Sequence, residues 1–215
     1  MTVASRMVLT NMAAEMGAKN GVVEPDDTTR AWLQGRVQNS YTEILADPSA
    51  EYRQVLKYGV GDLAPQIAKP HTVDNVAPVT ELVGTRINQA LVGTCTNGRL
   101  EDLAAAAEIL RGKHIASHVR LLVLPASRSI LLEAIEHGII SDLVSAGATL
   151  LNPGCGPCLG AHEGCMAPAE VTISTANRNF KGRMGSKEAF IYLGSPATVA
   201  ASALTGVITD PREVD

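Results

Sequence analysis

The chain has 215 residues, 46% of them hydrophobic, enough to bury a core for one large domain or two modest ones. Eighteen Lys and Arg against 22 Asp and Glu leave a formal charge of -4, and no basic stretch is interleaved with aromatics, so nucleic acid is not an expected partner. No apolar run is long enough to span a bilayer and "MTVASRMVLTN" lacks the layout of a signal peptide, so the expected setting is cytoplasmic and reducing, away from membranes.

In chain order, "RMVLTNMAAEMGAKNG" reads as a helix ending near Gly17 to Gly21, with Asn11 and Glu15 four positions apart on one face. Taken alone, that pair reads as a solvated helix face. "EYRQVLKYG" reads as a strand, and Pro65, Pro70 and Pro78 mark an extended linker. Residues 1–80 are therefore expected to form a partial α/β segment with its linker.

From about Arg86 the pattern is regular, and residues 81–215 are expected to form one α/β domain. "INQALVG" is a buried strand, followed by the Ala-rich helix "RLEDLAAAAEILRG". "VRLLVLP" is a strand, then "SRSILLEAIEHG" a helix capped by Ser127. "ATLLNPG" is a strand leading into "CGPC", and "EVTISTA" and "AFIYLG" are the last two strands. The helix "SPATVAASALTG" closes the unit, with Pro196 in its first turn. Alternating strands and helices predict a mostly parallel sheet flanked by helices.

Ligands of such sheets gather at the carboxyl ends of the strands. The loops there are "GTCTNGR", "PASRS", "NPGCGPCLG", "NRNFKGR" and "GSPAT". They carry Cys95, Arg128, the pair Cys155 and Cys158, and Asn177, Arg178 and Arg183, so cysteines and arginines from separate strands share one rim.

"CGPC" poses the sharpest question, because a thioredoxin-like enzyme also carries it, as the start of a helix. Here it lies late in the chain, after Pro153-Gly154, with Cys95 expected on the same rim. Three thiolates on one edge suit a metal ion or an iron–sulfur cluster better than a lone dithiol. The blander alternative is that Cys95 is a small buried residue and the CxxC binds nothing. Cys165 follows Cys158 at a spacing unusual for a ligand and is taken as a bystander. Arg178 and Arg183 offer paired guanidiniums for a carboxylate, or are plain surface arginines. The five histidines are scattered and are assigned no role.

"LTNMAAEMGAKNGV", "VGTCTNGRLEDL", "NPGCGPCLGAHEG", "ANRNFKGRMGS" and "GSPATVAASALTGVITDP", in this order, resemble the aconitase superfamily of iron–sulfur hydro-lyases. The likeness is greatest to its branch of 3-isopropylmalate dehydratase and homoaconitase large subunits. The resemblance implies a 4Fe–4S cluster held by Cys95, Cys155 and Cys158, with one iron open to substrate and hydroxide. It implies Asn11 and Asn177 as hydrogen-bonding support near the cluster, and Glu15 beside the hydroxide or water. It implies Arg178 and Arg183 as groups that bind the substrate carboxylate and its surroundings. The family's "GDSHT"-like motif is absent from this chain, as is the serine base that sits on a swivelling domain or a separate small subunit. The expectation is therefore the C-terminal half of a large subunit: a fragment, a truncated product or one part of a split subunit. Its partners would be the missing N-terminal half, a small subunit and a small hydroxy-acid substrate. The rival readings are a non-catalytic iron–sulfur or zinc module and a thiol–disulfide oxidoreductase using Cys155 and Cys158.

Overall fold

In the computed structural model, which describes residues 1–214, the chain divides between Leu63 and Ala64 into two units. In the first unit, helix α1 (Val3–Met12) starts at Thr2, whose hydroxyl accepts the Ser5 N–H at 3.1 Å. It runs into a 3₁₀ turn, Ala13–Met16, and stops at Gly17 with φ +76°. Helix α2 (Asp27–Leu33) is capped by the Asp26 carboxylate, which also takes two hydrogen bonds of 2.7 Å from Arg6. That ion pair ties α1 to α2, and it holds the Asp26 carboxyl well below the usual carboxylate range. Apolar burial contributes little, since Ala13 alone is buried among residues 1–63. The strand expected over "EYRQVLKYG" does not form. These residues are exposed and irregular, with no neighbouring strand to take up their backbone groups.

The expected linker is also corrected. Gln66–Ala68 (β1) and Val76–Pro78 (β2) pair antiparallel and belong to the second unit. Pro78 is tolerated because β2 is an edge strand. The remaining elements are β3 (Gln89–Gly93), α3 (Thr94–Asn97), α4 (Leu100–Leu110), β4 (Arg120–Leu124), α5 (Arg128–Glu136), α6 (Ile139–Ser145), β5 (Thr149–Leu150), β6 (Val171–Ser174), β7 (Phe190–Leu193) and α7 (Pro196–Thr205). Ser127 caps α5 through its hydroxyl, as expected, and Ser195 caps α7 in the same way ahead of Pro196. Helices α2, α3 and α6 were not anticipated. α6 follows directly on α5 through Gly138 in the left-handed conformation, and this hid it behind an apparent helix end.

The seven strands form one sheet in the order β2-β1-β7-β6-β3-β4-β5. The pairings β7–β6, β6–β3, β3–β4 and β4–β5 are parallel, and β1 is antiparallel to both its neighbours. This is the mostly parallel α/β sheet that the alternation predicts. Central strand β3 is buried along its whole length, and its alternate residues feed two cores. Ala90 and Val92 join Leu103, Leu110, Leu143 and Val199 from α4, α6 and α7 on one face. Leu91 joins Leu122, Leu124, Leu151, Met166, Met184 and Ile191 on the other. That second core is roofed by the loops after β5 and β6 instead of by helices. Among the described residues no helix is long and apolar enough to cross a membrane.

Met184 is fully buried in this second core and lies in the loop after β6. Met184→Ala is expected to cost about 2–5 kcal/mol by leaving a cavity. Urea unfolding measures it, and a loss below about 1 kcal/mol would mean that the loop is not anchored there.

Candidate functional site

From β3 the chain crosses to β4 on one side, and from β6 it proceeds to β7 on the other. The carboxyl ends of β3 and β6 are therefore the sheet's topological switch point, where departing loops open a crevice. The loop after β3 carries Cys95 and the loop after β6 carries Asn177, Arg178 and Arg183.

At the end of β3 the backbone turns hard. Gly93 has φ +129° and Thr94 φ +88°. A Cβ on Gly93 would sit 2.0 Å from the Leu124 carbonyl oxygen of β4, and one on Gly98 would sit 2.4 Å from the same atom. The short helix α3 is thus pressed over the end of β4, with Thr94 and Thr96 buried and Cys95 exposed between them. On the other side the Thr175 hydroxyl accepts from Gly93 N–H at 2.8 Å and donates to Gly93 O at 2.9 Å.

The CGPC loop answers the question its sequence raised. It opens a 3₁₀ turn, Gly156–Leu159, that Gly160 terminates in the left-handed conformation. No α-helix follows, so the helix N-terminus that activates a thioredoxin-type dithiol is missing. A Cβ on Gly160 would lie 2.8 Å from Gly185 N and 2.9 Å from Arg183 O, so the cysteine loop rests on the arginine loop. A backbone bond of 2.7 Å from Met166 N to Met184 O joins the two again.

All four cysteines are free thiols. Burial pushes the half-buried Cys158 thiol up, a hydrogen bond and the charge of Arg183 pull it down, and the charges of Cys95 and Cys155 push it up again. The Arg183 guanidinium thus hydrogen-bonds the Cys158 thiol, and the charges of Cys95 and Cys155 reach it. Cys165 instead turns its thiol to His162 O at 3.2 Å. Arg99 adds a second guanidinium, donating to Cys95 O at 3.0 Å. Among the described residues no three His, Cys, Asp or Glu side chains close around a single ion. An iron–sulfur core is wider than one ion and takes its cysteine sulfurs at separate corners. The donor set fits such a group.

Asn177 is buried and Arg178 half-buried behind β6, while Asn11 lies on α1 and Glu15 on the 3₁₀ turn of the first unit. The sequence reading missed Asn97, although it sits inside "GTCTNGR". Its amide nitrogen donates to Thr175 O and, at 3.0 Å, to Asn177 Oδ1. It also missed Asn179, fully buried, which donates to Lys69 O at 2.8 Å and Thr72 O at 3.2 Å and so fastens the β1–β2 turn to the arginine loop. His71 packs its ring 5.6 Å from that of Phe190.

The description "Aconitase family (aconitate hydratase)" matches residues 1–86 and 80–206 of this sequence. The chain belongs to the aconitase family. It is 57% identical over 214 residues to the probable methanogen homoaconitase large subunit of Methanosarcina mazei, covering 100% of this chain and 54% of that protein. It is 53% identical over 215 residues to 3-isopropylmalate dehydratase large subunit 2 of Archaeoglobus fulgidus, covering 99% and 51%. With the probable 3-isopropylmalate dehydratase large subunit of Methanothermobacter thermautotrophicus the identity is 52% over 211 residues, covering 98% and 50%. The chain thus spans about half the length of these aconitase-family relatives.

Burial pushes the Asp102 carboxyl up to about 6, against the opposing hydrogen bond from Arg99 N–H at 3.0 Å. The folded chain therefore holds this proton more tightly than the unfolded chain. Stability from Asp102 is present below about pH 4 and is lost as pH rises through about 6. Asp102→Asn keeps an oxygen for Arg99 N–H. In urea unfolding it is expected to gain on wild type between pH about 4 and about 7, and a constant difference across that range would rule the assignment out.

Proposed function

We propose that this chain is the cluster-bearing portion of an iron–sulfur hydro-lyase that dehydrates and rehydrates a hydroxy di- or tricarboxylic acid. The observation that supports the reading is the Cys158 thiol, which hydrogen-bonds the Arg183 guanidinium and feels the charges of Cys95 and Cys155 from two loops. The three thiols are assigned to a 4Fe–4S cluster. When bound, such a cluster supplies an iron with an open position, a Lewis acid for the departing hydroxyl and a substrate carboxylate.

The chain's own residues do the rest of this half's work. Arg178 and Arg183 bind substrate carboxylate, and the forked donors of a guanidinium fix its direction. Arg183, placed against Cys158, joins carboxylate binding to charge balance among the thiolates. Asn177 and Asn11 supply amide hydrogen bonds next to the cluster, and Glu15 lies beside the hydroxide or water and accepts a hydrogen bond from it. The roles of Asn11 and Glu15 rest on the family resemblance.

The substrate is of the kind named in the relatives, the 3-isopropylmalate or the homocitrate and homoaconitate type. A small, swivelling-domain subunit is proposed as partner, because those relatives are named large subunits. The base and the remaining acids come from that subunit and from the rest of a large subunit. The first unit supports this, for Tyr41, Ile44, Tyr52, Val55, Tyr58 and Val60 are all exposed on it. A reducing, cytoplasmic setting keeps the thiols available.

The test is oxygen-free reconstitution, with iron and acid-labile sulfide assayed and the EPR spectrum recorded after mild oxidation. Wild type and Cys165→Ser are expected to load equally and give a 3Fe–4S signal, and Cys95→Ser, Cys155→Ser and Cys158→Ser to lose it. Hydratase activity is expected only with the complementary polypeptides. A loaded chain that stays inactive with them is a non-catalytic module, and an unloaded chain with a cycling Cys155–Cys158 disulfide is an oxidoreductase.

A further inference from the structure

The break between α3 and α4 leaves the carbonyl of Cys95 to an unusual donor. In an unbroken helix it would accept from the backbone N–H of Arg99, four residues on. Here Arg99 is the residue that opens α4, and its N–H goes to the Asp102 carboxylate at 3.0 Å. The guanidinium of the same residue takes over, donating from Nη2 to Cys95 O at 3.0 Å. Its Nε–H is buried and meets no acceptor among the described residues. The mount is firm, since Arg99 O accepts from Asp102 N and Leu103 N at 3.1 Å each.

Local rules argue against an arginine here. The position before a helix favours Ser, Thr, Asp or Asn, and a cation at that end opposes the helix dipole. An N–H buried without an acceptor adds a further penalty. Such violations are expected where a site gains from them, and the site next to Arg99 is the Cys95 rim. A cluster's potential depends on its net charge and surroundings, and a positive charge held beside a ligand favours the state with the extra electron. We infer that Arg99 raises the reduction potential of the sulfur-ligated group of Cys95, Cys155 and Cys158 through the charge it holds at the Cys95 carbonyl; this rests on the cluster reading above. Asp102 bonds the backbone of Arg99 and leaves the guanidinium to Cys95.

The test is an EPR-monitored redox titration of the reconstituted chain as wild type, Arg99→Lys, Arg99→Gln and Arg99→Met. Arg99→Lys keeps the charge, Arg99→Gln keeps a donor without charge, and Arg99→Met keeps neither. Arg99→Gln and Arg99→Met are expected to weaken reduction by about tenfold, which is about 59 mV for one electron, and Arg99→Lys to stay near wild type. A wild-type potential in Arg99→Gln, or a shift in Arg99→Lys as large as in Arg99→Gln, overturns the inference and leaves the cluster reading standing. A wild-type chain that takes up no iron and sulfide overturns both. Should the neutral variants fail to load, Arg99→His decides, because pH switches the charge of the imidazole within one protein. Relative to wild type, its potential is expected to drop as pH rises through about 6.5. Parallel curves overturn the inference, and so does cluster uptake by the wild type alone, since the residue is then a clamp on the loop.

Discussion

No side chain fits at the end of β3. Gly93 and Gly98 both come so close to the Leu124 carbonyl that a methyl group on either would overlap it. That contact presses the turn after β3 onto β4, and the Thr175 hydroxyl closes it from the side of β6. Cys95 is exposed because its neighbours Thr94 and Thr96 are buried, so backbone packing sets its place on the rim. Glycine alone meets the φ of Gly93 without cost, and the positive φ of Thr94 is strain held by those contacts. A residue that must present a sulfur at a fixed point gains from such a mount, since a thiol has few contacts of its own with which to hold position.

The second face of the sheet follows from the first. Helices α4, α6 and α7 pack one face, and the loops after β5 and β6 seal the other through Leu151, Met166 and Met184. Loops that double as a core roof are not free to drift, because moving them would expose apolar side chains worth about 1.5–3 kcal/mol each. The close approach at Gly160 and the Met166–Met184 backbone bond lock the cysteine loop to the arginine loop. The electrostatics then come from rigid parts. Arg183 hydrogen-bonds the Cys158 thiol, which burial still pushes up, and Arg99 holds the Cys95 carbonyl.

Where the sequence could be read, the signal was local. The serine caps of α5 and α7, the apolar run of β3 and the Ala-rich α4 each carry their own cue. Strands β1 and β2 carry none, being three residues long and existing only because β7, more than a hundred residues further on, offers an edge. "EYRQVLKYG" failed in the opposite sense, a strand-like pattern with no edge to join. At the site, the cysteines and arginines were visible as residue types at strand ends, and Asn177 as part of a motif. Asn97 and Asn179 were not, because their meaning lies in partners 80 and 110 positions away. The significance of Asn11 and Glu15 came from resemblance alone, since their spacing is equally that of a solvated helix face.

The two units also differ in what holds them. The unit from Ala64 onward has two cores, whereas residues 1–63 bury only Ala13 and are tied by pairs such as Arg6–Asp26 and Arg30–Glu43. Ion pairs of this kind contribute little and weaken with salt. Such bonding does not fix a carboxylate such as Glu15 to the fraction of an ångström that catalysis demands. If Glu15 does the work assigned to it, its precision comes from burial of the exposed tyrosines and aliphatic residues of this unit against further polypeptide. The relatives are about twice as long as this chain. The cluster mount and the Glu15 carboxylate would then be ordered by different means, one by this sequence's own sheet and the other by assembly.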